Sequence, residues 1–469
     1  MNVLDHVLSF IADQNVDAYF VGGVVRDELM DRAAKRDIDL AIDGDAIELA
    51  RAFADASSGA FYLMDEEHNV ARVILQDTYI DFAQLRGTLR EDLSTRDFTI
   101  NAMARQLGNN ELTDPFHGQK HLEIKQICSV SDDVFKNDPV RLLRAVRFAG
   151  ELGFTVGAHT EKLMQRDAPL LAFASMERAR DELCKIIALA DPIPSLRQMD
   201  NLGLLTALLP EIAALKGVTQ SPPHRYDAFE HTLHVVDELQ KIQSRGYRDV
   251  ANGELVVELQ THFTRPVSAN RERGTLLRLA ALLHDIGKAT TRSVDANGNI
   301  HFHEHEPVGA KMCDELLRRL RFSNDEIEIV TRIITHHLRP AQLARDGQVS
   351  NRAAYRFFRD AGAAGIDTCV LALADWRGKA SPIGEEQDAQ QRATNAILLD
   401  RFFNAPQIVV APPAIIDGNV LIAELGLKPG RRIGELLETI REAQASGEVR
   451  SREDAIALAK QIENHKSEI

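Results

Sequence analysis

Phe20-Val21-Gly22-Gly23-Val24-Val25-Arg26-Asp27, followed by Asp37-Ile38-Asp39-Leu40, decides how the first part of this chain is read. The apolar run 18–21 ends in a glycine pair, which lets backbone N–H groups come close to a phosphate. Arg26 follows at a position from which its guanidinium fork reaches the same phosphate chain. Residues 37–42 alternate polar and apolar, as a strand does, so Asp37 and Asp39 share one face. Two carboxylates on one face hold a pair of Mg²⁺ ions, which activate an attacking hydroxyl and support a leaving pyrophosphate. Residues 73–82 alternate likewise and place Asp81 alongside as a third acidic group. A glycine pair is usually a turn and D-x-D usually a solvated strand edge. Together, at this spacing, they point to nucleotidyl transfer. Residues 1–14 have helical spacing.

Working outward, Thr95-Arg96-Asp97-Phe98-Thr99-Ile100-Asn101-Ala102-Met103 comes next, then Asp114-Pro115-Phe116-His117-Gly118-Gln119. Asp138-Pro139-Val140-Arg141-Leu142-Leu143-Arg144 follows. Asp138 and Pro139 read as N-cap and first residue of a helix on which Arg141 and Arg144 share a face. This ordered set, ending in MERARDEL at 176–183, resembles the bacterial tRNA nucleotidyltransferase and poly(A) polymerase family, in the class II branch that holds the CCA-adding enzymes. The resemblance covers residues 15–190. It implies an α+β, mostly helical fold with a DNA-polymerase-beta-like head and a helical neck. By the resemblance, Asp37 and Asp39 are the catalytic carboxylates that bind Mg²⁺. Gly22, Gly23, Arg26, Arg96, Asp138, Arg141 and Arg144 match nucleotide-binding positions, and Asp138 with Arg141 match the protein template that reads the incoming base. The chemistry of that template stands on its own. A carboxylate accepts from the exocyclic amine of A or C, and a guanidinium donates to a ring nitrogen or carbonyl oxygen. G and U present no such arrangement and leave polar groups unsatisfied.

Two departures from the family pattern stand out: Asn137 replaces the usual Glu before the templating Asp, and Thr95 replaces the first of two arginines. The stretch from Phe82 to the TRDFTINAM motif is also short. Family members that add the terminal A generally carry a longer flexible loop there, so the short stretch resembles enzymes that add only the two C residues.

A second constellation lies in a His-rich helical region. His231, His284-Asp285, His305, His337 and Asp375 fall at helix-length separations. Imidazole and carboxylate donors suit Mn, Ni, Fe, Zn or Mg, so ligand type alone selects no metal. The pattern resembles the HD phosphohydrolase superfamily over residues 222–380. His231, His284, Asp285 and Asp375 match its metal ligands, and His305 and His337 match the extra histidines of two-metal members. The resemblance implies a divalent metal such as Ni, Mn, Fe or Mg, with hydrolysis of 2′,3′-cyclic phosphates or 2′-nucleotides, and Lys288 near the phosphate. His224, His301 and His303 take no role in it. Lys428, Arg431 and Arg432 near the C-terminal end resemble a segment of many family members and are candidates for RNA backbone contact.

Composition bounds these readings. The 469 residues carry 55 Lys+Arg against 70 Asp+Glu, a net charge of −15, which argues against coating nucleic acid by bulk charge. With 44% hydrophobic and 27% charged residues the chain is of globular type. No run is apolar enough for a membrane span, and the start lacks the pattern of a signal peptide. Cys128, Cys184, Cys313 and Cys369 are isolated, which predicts a reduced, cytoplasmic protein. The expected organisation is a nucleotidyltransferase head at 1–135, a helical neck at 136–221, an all-α HD domain at 222–410 and a helical tail at 411–469. The expected function is addition of C and/or A to tRNA 3′ ends from CTP and ATP, with pyrophosphate release, joined to HD phosphohydrolase activity. CC addition alone, poly(A) polymerase and an inactive RNA-binding scaffold stay open as alternatives, as does the oligomeric state.

Overall fold

Strand alternation builds the head. A computed structural model describes residues 3–467 apart from 15, 33–36, 269–270, 346, 348 and 380–383. The first two residues of the expected N-terminal helix lie outside the described residues, and the helix runs Val3–Ala12. Seven strands follow: β1 (Asp17–Val21), β2 (Asp37–Asp43), β3 (Ala60–Asp65), β4 (Val70–Leu75), β5 (Thr78–Gln84), β6 (Ala104–Gln106) and β7 (Leu112–Thr113). They form one sheet in the order β3-β4-β5-β2-β1-β6-β7, in which β2 and β5 are parallel. The alternation at 73–82 belongs to two strands, because Gln76 turns the chain with φ 49 and Thr78 N–H donates back to its carbonyl.

One face of the sheet packs on the helices Val3–Ala12 and Ala46–Ser57. Its core takes Phe20 from β1, Ile38, Leu40 and Ile42 from β2, and Ile80 and Phe82 from β5. Because the side-chain period of a strand is two, Asp37, Asp39 and Asp81 must point to the other face. The residue opposite Asp39 across the parallel pair is Asp81. The connection from β5 to the Leu89–Ser94 helix is only residues 85–88, closed by a Thr88–Glu91 capping box.

The chain divides into two compact units, Met1–Glu182 with Pro194–Leu208, and Leu183–Ile193 with Leu209–Ile469. The neck expected at 136–221 therefore contributes to both. In the first unit the helix Arg141–Leu152 buries Leu142, Val146 and Phe148, with Phe148 set edge-on to Phe98 at 5.9 Å. Asp138 is not the N-cap. It is extended and accepts from Val140 N–H at 3.2 Å, so the helix starts only at Arg141.

The second unit is helical but not all-α. It carries two short hairpins, Pro266–Ser268 with Arg271–Glu272 and Arg292–Val294 with Ile300–Phe302. The helix Ala364–Gly378 is buried over most of its length. Glycine sets one close approach: a Cβ on Gly287 would run into the His305 carbonyl oxygen and lie 2.8 Å from the Gly309 nitrogen. Gly287→Ala is expected to destabilise the chain by about 1–3 kcal/mol through overpacking, read as a lower melting temperature in calorimetry. An unchanged melting temperature refutes the tight packing. The helices Gly418–Leu425, Arg431–Ala445 and Arg452–Ser467 close on their own core around Leu421, Leu436 and Ile440. No helix among the described residues is long and apolar enough to cross a membrane.

Candidate functional site

The head site lies on the face of β2 opposite Ile38, Leu40 and Ile42, with Asp37 exposed and Asp39 half-buried. Gly22 adopts φ 74, and a Cβ there would lie 2.9 Å from the Arg96 guanidinium and 3.3 Å from the Asp39 carboxylate. The missing side chain thus leaves a cradle bounded by Arg96 and Asp39. Burial raises the Asp39 pKa most, Arg96 pulls it back, and the charges of Asp81 and Asp37 push it up further. Like charges gathered on one face want a cation between them, so the donor set fits divalent metal. Asp81 is held by the Arg72 guanidinium at 2.6 and 2.7 Å, so it enters the site as half of an ion pair rather than as an open carboxylate.

Arg26 lies deeper than its place beside the glycine pair implies. It is 2% exposed, donating to Asp27 and Asn101 at 2.8 Å each. Its guanidinium also lies 3.5 Å from where a Cβ on Gly23 would stand, so it stays beside the glycine pair. The network continues inward: Asn101 donates to Asp97 at 3.0 Å, and Arg144 clamps the far oxygen of Asp97 at 2.8 and 2.6 Å. Arg144, with 32% of its side chain exposed, is tied into the fold by this clamp. Burial alone would raise the Asp97 pKa. The Arg144 charge and the hydrogen bonds from Asn101, Arg144 and Phe98 N–H outweigh it and lower the value. A depressed folded pKa gives stability that is present above the unfolded carboxylate range and lost as pH falls through the folded value. Asp97→Asn is expected to cost about 3 kcal/mol at neutral pH and to flatten the acid limb of the stability–pH curve, as urea titrations across pH would record. An unaltered acid limb contradicts the assignment.

Asp138 and Arg141 do come together. Arg141 Nε is 3.7 Å from Asp138 Oδ2, and its fork donates to the Thr95 carbonyl at 2.8 Å and the Arg96 carbonyl at 3.3 Å. The Thr95 contact is made by its carbonyl and does not depend on the side chain at that position. Arg178, without a role in the sequence reading, grips Asp138 through both oxygens at 3.1 and 2.7 Å. It lies within the MERARDEL segment, the one signal that could have found it. Arg432 pairs with Glu463 and Glu435, and Arg431, 94% exposed, pairs with Glu435, so neither presents an unpaired charge to RNA.

The second site is the histidine–aspartate cluster. His231 comes from the helix Ala228–Ser244, capped by Asp227, and Asp375 from the helix Ala364–Gly378. His284 and His337 are the C-cap residues of Arg273–Leu283 and Asn324–His336, and His305 opens His305–Arg319. Each Nδ1 donates to a backbone carbonyl: Gly378 at 3.3 Å for His231, Ala281 at 2.8 Å for His284, Phe302 at 2.9 Å for His305 and Ile334 at 2.7 Å for His337. A carbonyl only accepts, so the protons sit on Nδ1 and the Nε2 lone pairs face the cluster.

Asp285 divides the cluster. Its Oδ2 lies 3.1 Å from His284 Nε2 and 3.5 Å from His231 Nε2, while Oδ1 lies 3.5 Å from His305 and 3.8 Å from His337. His231 Nε2 is 3.0 Å from Asp375 Oδ1. The Nε2 atoms of His231, His284 and His305 and both Asp285 oxygens are buried without a hydrogen bond among the described residues. Lys288 stands 2.6 Å from Oδ2, in ion-pair rather than hydrogen-bond geometry. Lone pairs facing carboxylates repel unless a cation lies between them, so these donors fit metal. The triads His231–His284–Asp375 and His284–Asp285–His337 each gather their donor atoms within 4.8 Å. Burial lowers His231, and burial and then the His284 charge hold His337 at about 3. Burial also pulls His284 down, but the Asp285 and Asp375 charges outweigh it and raise the value, another sign that positive charge belongs here.

Both sites have counterparts among known proteins. Residues 18–88 and 86–128 match the poly(A) polymerase head domain, and 153–216 match an RNA- and SrmB-binding site of polymerase A. Residues 228–377 match the HD domain, and 308–459 match domain 2 of tRNA nucleotidyltransferases. An A-adding tRNA nucleotidyltransferase of Deinococcus radiodurans is 33% identical over 448 residues, 94% of each chain. A CC-adding tRNA nucleotidyltransferase of Thermus thermophilus is 29% identical over 94% of this chain and 93% of that one. The fold is also that of the Thermotoga maritima CCA-adding enzyme solved with tRNA, at a TM-score of 0.59 and 22% identity over 98% of this chain and 94% of the other. The chain belongs to the tRNA nucleotidyltransferase family.

Proposed function

We propose that the chain adds cytidylates to the 3′ ends of tRNA from CTP, releasing pyrophosphate, and carries a separate HD phosphohydrolase site, acting in the cytoplasm. The observation that carries the first activity is the pair Asp37 and Asp39 on the open face of β2, beside the Gly22 cradle and Arg96. Mg²⁺ bound there supplies the Lewis acidity that activates the attacking 3′-hydroxyl and supports the leaving pyrophosphate. Asp37 and Asp39 hold the ions. Gly22 and Gly23 let the backbone meet the triphosphate, and Arg96 pairs with it. Asp138 accepts from the cytosine amine and Arg141 donates to the ring, while Arg178 keeps the carboxylate aimed and Arg144 holds the template helix to the head through Asp97.

In the second unit His231, His284, Asp285 and Asp375 would hold one divalent ion, and His305 and His337 would supply further donors for a second. Such ions supply a nucleophile at neutral pH and a grip on phosphate oxygen. The reading is of an RNA-end phosphatase or cyclic phosphodiesterase. Lys288 and Lys379, 2.6 and 2.9 Å from Asp285 and Asp375, are placed to take the phosphate charge.

Restriction to C rests on the four-residue link 85–88 between β5 and the next helix, which is short for the loop that the family resemblance implies in members adding the terminal A. Terminal A addition is the second reading, favoured by the 33% identity to an A-adding enzyme. Labelled CTP with tRNA lacking its CCA end, and labelled ATP with tRNA ending in CC, separate the two. The proposal expects C incorporation on the first and none of A on the second; efficient A incorporation sinks the restriction to C.

A further inference from the structure

Tyr79 and Tyr62 extend the face that carries Asp37 and Asp39, and the head chemistry leaves both unused. The period of two puts Tyr79 on the same side of β5 as Asp81, and the parallel register sets it across from Asp37. Arg72 of β4 is opposite Asp81, and Tyr62 of the edge strand β3 is opposite Arg72. One row of the sheet thus reads Asp39, Asp81, Arg72, Tyr62. The Arg72 guanidinium lies 5.2 Å from the Tyr79 ring centroid, so both side chains stand on this face. Tyr79 is 40% exposed and Tyr62 51%. Neither ring serves the core, which Val73, Ile80 and Phe82 fill from the other face.

The direction of the reaction says what reaches these rings. In the sheet β2 has β1 on one side and β5 on the other. The glycine pair that receives the triphosphate follows β1, so pyrophosphate leaves on the β1 side of the carboxylates. The displacement is in line, so the attacking hydroxyl enters from the opposite side, over β5. The strand that carries this hydroxyl is the 3′ end of the tRNA, and its last nucleotides then run across β5, β4 and β3. The face there suits bases better than phosphates. The Arg72 guanidinium is already held by both oxygens of Asp81, at 2.6 and 2.7 Å, and the carboxylates of Asp37 and Asp39 repel a phosphate backbone. An aromatic ring, by contrast, stacks on any base.

We infer that Tyr79 stacks on the 3′-terminal base of the tRNA and Tyr62 on a base before it, which sets the attacking 3′-hydroxyl over Asp37 and Asp39. Two strand spacings, about 10 Å, separate the tyrosines across the sheet, so they serve different nucleotides. The inference rests on the nucleotidyl-transfer reading of the head.

The test is steady-state CTP incorporation by the full chain into two primers. One is tRNA lacking CCA; the other is the same tRNA with an abasic 3′-terminal nucleotide that keeps its 3′-hydroxyl. Tyr79→Ala should lower kcat/KM for the intact tRNA about tenfold, the size of one lost base–aromatic stack, with the KM for CTP within about twofold of wild type. Tyr79→Phe keeps the ring and should stay within about twofold throughout. The abasic primer should cost wild type about tenfold, but Tyr79→Ala no more than about twofold, because each change removes the same stack. Tyr62→Ala should lower kcat/KM for the intact tRNA about fivefold and leave the cost of the abasic terminus as it is in wild type. Losses that multiply for Tyr79→Ala and the abasic primer overturn the inference, as does a KM for CTP that rises with that for tRNA. A sedimentation coefficient that shifts in either alanine variant while kcat/KM for tRNA holds assigns the face to a second copy of the chain and also overturns it. Incorporation that ignores both tyrosines overturns this inference alone, whereas no incorporation by wild type into the intact tRNA overturns the nucleotidyl-transfer reading beneath it.

Discussion

Asp39→Ala is expected to reduce nucleotide incorporation into tRNA by about 1000-fold or more, the size of several kcal/mol of lost charge stabilisation. Asp39 sits beside Asp37 on the open face of β2, opposite Asp81 and against the Gly22 cradle. Burial and then the like charges of Asp81 and Asp37 raise its pKa against the pull of Arg96. Removing Asp39 relieves repulsion between carboxylates, so the fold should not suffer. The melting temperature should hold or rise slightly while incorporation collapses. HD hydrolysis belongs to the other unit and should stay at the wild-type level. Incorporation within about tenfold of wild type would remove Asp39 from the metal site, since a ligand lost from the reacting centre costs more than that.

Asp285→Ala is the second large effect. Asp285 turns one oxygen to His231 and His284 and the other to His305 and His337. No other described side chain touches both pairs through separate oxygens. Its loss leaves four imidazole lone pairs without the shared carboxylate and Lys288 without its ion-pair partner. HD hydrolysis should fall by about 1000-fold or more, and the metal content of the second unit should drop when measured on the full chain. CTP incorporation should remain within about twofold, because nothing in the head depends on this residue. Metal stoichiometry equal to wild type would contradict the proposed ligand set.

The head site was legible because it is written in local periodicity. Ile38, Leu40 and Ile42 fill the core, and the period of two then places Asp37 and Asp39 on the open face. What escaped was non-local. Asp81 was expected alongside the pair, but the parallel register that sets it opposite Asp39, and the Arg72 that claims it, depend on strand order and not on spacing. Arg26 stands next to the glycine pair in sequence, but its guanidinium turns inward to Asn101, 75 residues away. Arg178 reaches Asp138 across 40 residues. The HD histidines carried their own clue. His284 and His337 cap helices and donate Nδ1 to the carbonyl three residues back, a local arrangement that fixes Nε2 outward. The Asp138 cap failed for an equally local reason: its side chain closes a turn onto Val140 and the helix begins one residue later.

The most direct test of the central claim is the mass of the tRNA 3′ end after incubation of the full chain with Mg²⁺, all four nucleoside triphosphates and a tRNA lacking CCA. The proposed head chemistry and its Asp138–Arg141 template predict growth by two cytidylates and then arrest, with no G or U. Growth that continues to A would overturn the restriction to C while keeping the enzyme class. Failure to extend the tRNA, or extension by G or U, would contradict the account itself.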